Sequence, residues 1–205
     1  NMVQFFFFFK NLNQPDYAEI SRYLGYSKKN LPDEIIFELI KECGKMLHEA
    51  LLPKSCFCEF DIHSYDEENA IKIFDFTVYS KDLKEYFKDC EKTYLFAATI
   101  GAQVDLLIRK MQIIDSVKAS VLQATGAMYI EKYVNMLNEE IKKIATKNNQ
   151  TCKPRFSPGF GDASLMIQKD FFRLLPCNKL GLTLMDTLIM APEKSVTGFI
   201  AIKKN

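Results

Sequence analysis

The first helices are predicted by the spacing of apolar positions. Residues 15–24 predict a short helix, with proline at its start and Gly25 just past its end, where these two residues are favoured. Residues 32–52 predict a longer helix, because apolar side chains recur there every three or four residues and form one stripe. Such a stripe predicts packing against another element of the fold.

Strands are predicted in the next part of the chain. Residues 56–62 and 70–79 are rich in aromatic and β-branched side chains, and the polar DEEN between them predicts the connection of a hairpin. A short helix is predicted over SKDLKEYFKDC, which begins at Ser80. Residues 93–101 predict a strand that runs into a turn.

The second half of the chain predicts helices first and strands later. A helical region is expected from residue 102 to about residue 145, with a break near Asp115. We then expect a loop at 146–154, a helix at 163–175 and strand-like segments at 179–192 and 195–204. Turns are predicted at Asn178 and at 192–194. Helices and strands do not alternate as βαβ units, so we expect an α+β fold with a largely antiparallel, twisted sheet flanked by helices.

The most apolar stretch is VQFFFFFK, near the N-terminus. Its five phenylalanines are too few to cross a bilayer, which takes roughly 20 apolar residues as a helix. A strand buried on both faces is therefore predicted within residues 1–10. The Asn ahead of Met2 is expected to be a remnant of protein expression.

Composition narrows the classes of partner. The 205 residues are expected to form one domain, residues 1–205, around one core. Because 27 Lys and Arg balance 26 Asp and Glu, neither nucleic acid nor a membrane is expected as a partner. No signal peptide is recognised and a chain of this size does not need disulfides, which predicts a cytoplasmic protein with six free thiols: Cys43, Cys56, Cys58, Cys90, Cys152 and Cys177.

The segment RFSPGFGD, residues 155–162, is the strongest candidate for a binding site. Its glycines lack the Cβ that would keep a ligand away from the backbone, and Arg155 offers a planar fork of donors suited to a carboxylate or phosphate. The alternative is a structural turn, with Arg155 paired to a nearby acid and Asp162 capping the helix that begins at Ala163. The segment is neither a P-loop nor a dinucleotide-binding fingerprint.

Cysteine and histidine give only weak signals of a metal or catalytic site. Cys56 and Cys58 fall on one face of a strand but lack the companion ligands of a zinc site, so they are expected to be buried thiols. His48 and His63 are the only histidines, and His48 lies far in sequence from any candidate nucleophile. A cysteine or serine hydrolase is therefore not expected.

The acidic residues are mostly expected in solvent. Asp61, Glu67 and Glu68 are expected at a solvated hairpin end rather than as a catalytic pair. Glu131 is more ambiguous: a glutamate in the middle of a helix is usually solvated, but its neighbours here are apolar.

The motif and its surroundings resemble a known family. The segments concerned are RFSPGFGD, the following SLMIQKDFFRLL, KLGLTLMDTLIMAP and EKSVTG, and the upstream RYLGY, ATIG and GAMYIEKYVNMLNEEI. Together they resemble the activation domain of cobalamin-dependent methionine synthase in its short stand-alone form. The resemblance extends from about Arg22 to Gly198. Its most specific part is the block at 155–162 combined with the later SVTG.

The resemblance implies a site for S-adenosylmethionine. In that family the arginine and the Pro-Gly-aromatic turn bind this ligand, so Arg155 is expected to hold its carboxylate while the loop backbone lies along the nucleoside. An acid of the long helix also serves the family as an acceptor, and aligning LNEEIKK with the family helix places it on Glu131. The binding residues implied are Arg155, Ser157, Pro158, Gly159, Phe160 and Glu131.

The resemblance also implies a reaction and partners. The family performs reductive methylation, in which cob(II)alamin takes an electron, usually from flavodoxin, and a methyl group from S-adenosylmethionine. The chain is expected to hold this donor over the cobalamin of a methionine synthase core that lacks its own activation domain, and thus to act through proximity. The cobalt is then the nucleophile, so no catalytic side chain or metal ligand is expected here. The SVTG strand is a candidate for the surface that faces cobalamin: Ser195, Val196, Thr197 and Gly198.

Three departures from the family pattern bear on ligand binding. Phe160 stands where many members have tyrosine, which keeps a ring face and loses a hydroxyl. A second acid of the fused enzymes falls on Asn149, which predicts less negative charge around the ligand. The sequence ends seven residues after Gly198, so the ligand-contacting tyrosine in the C-terminal extension of the fused enzymes is expected to be missing.

Two other functions fit the same residues. A module that binds or caps a corrinoid protein would keep the fold without S-adenosylmethionine chemistry, and its turn would be structural. Reactivation of another corrinoid methyltransferase is the third hypothesis. Ligand affinity that depends on Arg155 would favour reactivation over capping.

Overall fold

Helices lie on both sides of a mostly antiparallel sheet, so the predicted α+β fold is confirmed. The computed structural model describes residues 2–7, 12, 14–64 and 69–204. The helices are α1 (Tyr17–Tyr23), α2 (Glu34–Ala50), α3 (Lys81–Tyr86), α4 (Ala102–Ile114), α5 (Ser116–Lys147), α6 (Gln168–Leu174) and α7 (Cys177–Leu180). The strands are β1 (Gln4–Phe6), β2 (Lys54–Ser64), β3 (Ala70–Ile73), β4 (Phe76–Tyr79), β5 (Lys92–Thr99), β6 (Gln150–Cys152), β7 (Thr183–Leu184), β8 (Met190–Ala191) and β9 (Ser195–Lys204).

The main sheet has β5 near its centre. Its strand order is β4-β3-β2-β5-β9-β6, and β1 pairs with β2. β5 pairs along its whole length with β2 on one side and with β9 on the other. β6 forms an edge beside β9, and β7 and β8 form a separate two-stranded sheet.

Alternate side chains of β5 enter different cores. Tyr94, Phe96 and Ala98 pack with α1, α2, α4 and α5, whereas Leu95 and Ala97 pack with α3, α6 and α7. Successive side chains of a strand point to opposite faces, so a strand covered on both faces is apolar at nearly every position. This double burial explains the unbroken apolar run of the predicted strand.

Aspartates fix the beginnings of two long helices. The Asp33 carboxylate accepts a hydrogen bond from the Ile36 amide (2.8 Å) at the start of α2, and Asp115 accepts one from the Lys118 amide (2.9 Å) at the start of α5. Such side chains satisfy the free amides of a first helical turn. Asp115 also ends α4, which confirms the predicted break in the long helical region.

The N-terminal strand is shorter and more exposed than predicted. β1 is only three residues long and pairs with β2. Phe6 packs against a tyrosine of α5, whereas Phe5 and Phe7 stack on each other and are exposed. The prediction of burial on both faces is therefore wrong for this strand, because β1 lies at the rim of the sheet. Residues 8–11 lie outside the described residues.

Two strand predictions are wrong because tight turns interrupt apolar runs. Residues 70–79 form β3 and β4, since the chain reverses at Phe74, whose φ is 55°. β3 and β4 form a hairpin of their own, and β2 pairs antiparallel with β3, so the predicted pairing of 56–62 with the segment that begins at residue 70 is confirmed. Residues 179–192 contain the end of α7 and the short strands β7 and β8. An apolar run carries no periodic signal for such turns.

Helix and strand boundaries also differ in the second half of the chain. α5 extends to Lys147, and β6 occupies part of the predicted loop 146–154, because the edge of β9 offers backbone partners to it. The helix predicted over 163–175 begins as a 3-10 turn at Leu165–Ile167 and continues as α6. None of the helices in the described ranges is long and apolar enough to cross a membrane.

Candidate functional site

The motif segment continues the edge strand of the sheet. After β6, the Lys153 amide donates to the Ala201 carbonyl (2.9 Å), and Phe156 and Phe199 exchange two backbone hydrogen bonds of 2.9 and 2.7 Å. The chain therefore follows β9 as far as Phe156. Side chains alternate along it, so Arg155 reaches α5 whereas the Phe156 ring packs on the second core, with α3, α6 and α7.

Arg155 contacts two polar side chains of α5. Its Nη2 donates to the Glu131 carboxylate, and its Nη1 donates to Asn135 Oδ1 at 2.7 Å. Glu131 and Asn135 are four residues apart and so lie on the same face of the helix. The structure thus brings together the arginine and the acid that the resemblance assigns to ligand binding. Their side chains are 24% and 41% exposed, so a ligand can reach both.

Two cavities flank this cluster. One, of about 580 Å³, lies between α5, α1 and β1, and its lining includes Glu131 and Asn135. The other, of about 530 Å³, lies between α5 and the segment after β6, and its lining includes Arg155 and Asn135. Both volumes fall in the range of small-molecule sites. A larger cavity of about 830 Å³ between α1 and α2 contains none of the predicted site residues.

The glycine turn lies beyond the sheet edge. Gly159 adopts a φ of 85°, which favours glycine, and its amide donates to the Ala163 carbonyl (2.9 Å). Phe160 is 71% exposed and contacts the Phe156 ring edge-on, with centroids 5.7 Å apart. Ser157 is half-buried and Pro158 is buried, and neither they nor Phe160 line the two cavities beside Arg155.

Asp162 caps a different helix from the one predicted. Its carboxylate accepts hydrogen bonds from the Ser80 hydroxyl and from the Lys81 and Asp82 amides at the start of α3. The helix that follows the motif is capped instead by Ser164. The predicted cap of the following helix is therefore wrong, because the turn folds back onto α3 and carries Asp162 to that helix.

This cap predicts an acid-dependent loss of stability. The Ser80 hydroxyl and the two amides hold the pKa of Asp162 below its ordinary range. A carboxyl with a lowered folded-state pKa stabilises the fold above its unfolded pKa of about 4, and this contribution is lost as the pH falls through the folded value. Urea unfolding of wild type and Asp162→Asn should show a difference at pH 7 that shrinks below about pH 4. A difference that stays constant with pH would contradict this role.

The SVTG segment occupies the start of β9. Ser195 Oγ lies 2.7 Å from the Pro192 carbonyl oxygen, and the Thr197 hydroxyl donates to Gln168 Oε1 (2.8 Å). Ser195 and Val196 are half-buried, whereas Thr197 and Gly198 are buried. Whether this segment faces cobalamin stays a prediction.

The weaker candidates do not assemble into a site. Burial raises the pKa of the Cys56 thiol to about 12 and also raises that of Cys58, which disfavours the thiolates. His48 Nδ1 lies 3.2 Å from the hydroxyl of the buried Tyr129. Within the described ranges, no cluster of three His, Cys, Asp or Glu could hold a metal ion. All six cysteines are free thiols, and Glu67 and Glu68 lie outside the described residues.

One polar partner of the site was not predicted from the sequence. Asn135 follows Glu131 by four residues, a spacing that places two side chains on one face of a helix. This spacing is the sequence feature from which Asn135 could have been predicted as a partner of Glu131 at the site. Asn149, where fused enzymes carry a second acid, is exposed just after α5 with a φ of 55°. It does not line either cavity beside Arg155.

Comparison with known proteins identifies the fold. No family model matches the sequence, and no curated protein matches it either. Among solved structures, the protein is similar to the MetH reactivation domain bound to AdoHcy, with a TM-score of 0.73 and 17% identity over 98% of this chain and 78% of that chain. At this level of identity the similarity establishes architecture. The protein therefore has the fold of the MetH reactivation domain.

Proposed function

We propose that this protein is a stand-alone reactivation subunit of a cobalamin-dependent methionine synthase. It binds S-adenosylmethionine and presents the methyl group to cobalamin held by a separate methionine synthase core. The observation that carries the proposal is the contact between Arg155 and Glu131 at the sheet edge. These two residues are 24 positions apart in the chain, and both are the residues that the family resemblance assigns to the ligand.

The chemistry of the site supports an amino-acid ligand. The Arg155 guanidinium suits the carboxylate of S-adenosylmethionine, because it offers parallel donors to a planar anion. The Glu131 carboxylate suits the ammonium group of the same ligand. The similar MetH domain was crystallised with AdoHcy, which is what S-adenosylmethionine becomes after it donates its methyl group.

The exposed ring of Phe160 supports recognition of the nucleoside. Phe160 is 71% exposed beside a glycine turn, and an exposed aromatic ring can stack on an adenine ring. The backbone of Ser157, Pro158 and Gly159 would then lie along the ribose. A ligand that contacts both this turn and Arg155 would lie across the edge of the sheet, beside β9.

The role in reactivation follows from positioning. Cobalamin on the partner accepts the methyl group after cob(II)alamin takes one electron from flavodoxin or another low-potential donor. This chain contributes by fixing the donor close to its acceptor, which replaces a bimolecular encounter by an intramolecular one. The start of β9, from Ser195 to Gly198, is proposed to face the cobalamin, and the reaction is proposed to take place in the cytoplasm.

A capping module without ligand chemistry is the second candidate function. Two observations favour it: Arg155 is paired to an acid, as a structural turn predicts, and the turn is closely packed, since a side chain on Gly161 would collide with the Asp82 carboxylate and Asp162 caps α3. These contacts give the turn a structural role that needs no ligand. They do not explain why Arg155 and Glu131 remain partly exposed beside two cavities.

Calorimetric titration tests the proposal. Wild-type protein is titrated with S-adenosylmethionine, with S-adenosylhomocysteine, and with 5′-methylthioadenosine as a control that lacks the amino-acid group. We expect saturable binding of the first two ligands and much weaker binding of the third. Absence of binding of S-adenosylhomocysteine up to millimolar concentration would contradict the proposed function and favour the capping module.

A further inference from the structure

Asn135 forms a hydrogen bond with the arginine of the site. Its Oδ1 accepts from Nη1 of Arg155 (2.7 Å) while Glu131 accepts from Nη2. Two acceptors one turn apart on a helix fix the plane of a guanidinium, whereas a single acceptor leaves it free to rotate. Asn135 is exposed, so this contact with Arg155 is not a by-product of core packing.

The same contacts leave donors of Arg155 and an acceptor of Glu131 available to a ligand. A guanidinium has five N–H donors, and the described residues engage one hydrogen on each Nη of Arg155. Among the described residues, no acceptor is found for the Nε hydrogen or for the second hydrogen of each Nη, so these donors are available to a ligand. Glu131 engages Arg155 through Oε2, and its Oε1 has no hydrogen bond within the described part of the chain. A donor edge beside a carboxylate oxygen matches the carboxylate and ammonium of an α-amino acid.

We propose that Asn135 is a positioning residue that makes this site selective for ligands with an α-amino acid zwitterion. It holds Arg155 so that the Nε edge receives the ligand carboxylate while Glu131 receives the ammonium. The pair between Arg155 and Glu131 stays intact when the ligand binds. This inference rests on the proposed function, since it takes S-adenosylmethionine and S-adenosylhomocysteine as the ligands.

The position of Asn135 allows a clean substitution. Because the side chain of Asn135 is exposed, Asn135→Ala should fold normally, and alanine is a good helix former. Asn148→Ala is the matched control, because it makes the same change at the C-terminal end of the same helix. Asn135→Asp keeps an acceptor oxygen at the same reach and serves as the rescue variant.

The experiment compares two ligands that differ in one group. S-Adenosylhomocysteine and its decarboxylated analogue are titrated into wild type and the three variants by calorimetry. We expect Asn135→Ala to weaken binding of S-adenosylhomocysteine about tenfold, the size of one charge-assisted hydrogen bond. Binding of the decarboxylated analogue should not change, Asn148→Ala should behave as wild type, and Asn135→Asp should stay within about threefold of it.

A second measurement tests whether Asn135 acts through the guanidinium. In an Arg155→Lys background the planar fork is absent, so adding Asn135→Ala should cause no further loss of affinity. An additional tenfold loss there would overturn the inference, as would equal losses for both ligands or unchanged affinity in the single variant. If wild type does not bind S-adenosylhomocysteine at all, the proposed function fails and the inference fails with it.

Discussion

Replacing Arg155 by alanine is expected to lower the affinity for S-adenosylhomocysteine at least about 100-fold, because the ligand carboxylate loses its charged, bidentate partner. The fold should survive the change. The ion pair with Glu131 is partly exposed, and pairs of this kind contribute about 1 kcal/mol or less to stability. Calorimetric titration measures the affinity, and thermal unfolding of the same preparation measures stability.

Arg173→Ala is the matched control for this variant. Like Arg155, Arg173 forms hydrogen bonds with two side chains on a partly exposed surface, in this case the acids Asp75 and Asp170. It lies on α6 and lines neither cavity beside Arg155. Removing it should cost as little stability as removing Arg155 and leave ligand affinity unchanged. Equal affinities for Arg155→Ala and wild type would show that the arginine has a structural role only.

Gly198→Ala is expected to destabilise the protein by about 1–3 kcal/mol, the usual cost of overpacking a core. A Cβ at this position would lie 2.8 Å from the Phe96 ring and 3.1 Å from the Phe156 carbonyl oxygen. The ring is fully buried and the carbonyl is backbone, so neither can move away easily. The added methyl group should push β9 away from the motif segment, and binding of S-adenosylhomocysteine should weaken with it.

Gly126→Ala separates this effect from the loss of a glycine as such. Gly126 lies within α5, and the three atoms nearest to an added Cβ would all belong to the side chain of Lys194, at 3.0–3.3 Å. That side chain is flexible and can shift. Because alanine is favoured over glycine by up to about 1 kcal/mol inside a helix, we expect unchanged or increased stability. Urea unfolding of both variants provides the comparison, and similar destabilisation by both would refute the packing argument for Gly198.

The roles of individual motif residues were predictable to different degrees. A clamp formed by Arg155 could be proposed from its side-chain chemistry and its position beside a glycine turn. The assignment of Glu131 came only from the family resemblance, because a glutamate in a long helix has no local pattern that distinguishes a ligand-binding role. The part played by Asp162 was mispredicted, since the nearest helix in sequence is not the helix that it caps.

The sequence by itself determined the fold class, the main helices and the break at Asp115, because apolar periodicity and capping residues are local signals. It also singled out the motif at 155–162. Only the tertiary structure decided which side chains of α5 meet Arg155, and that β1 would be a short, partly exposed edge strand. The first outcome depends on how α5 packs beside the segment that follows β6, and the second on the pairing of β1 with β2. Contacts between positions distant in sequence leave no periodic pattern in the chain.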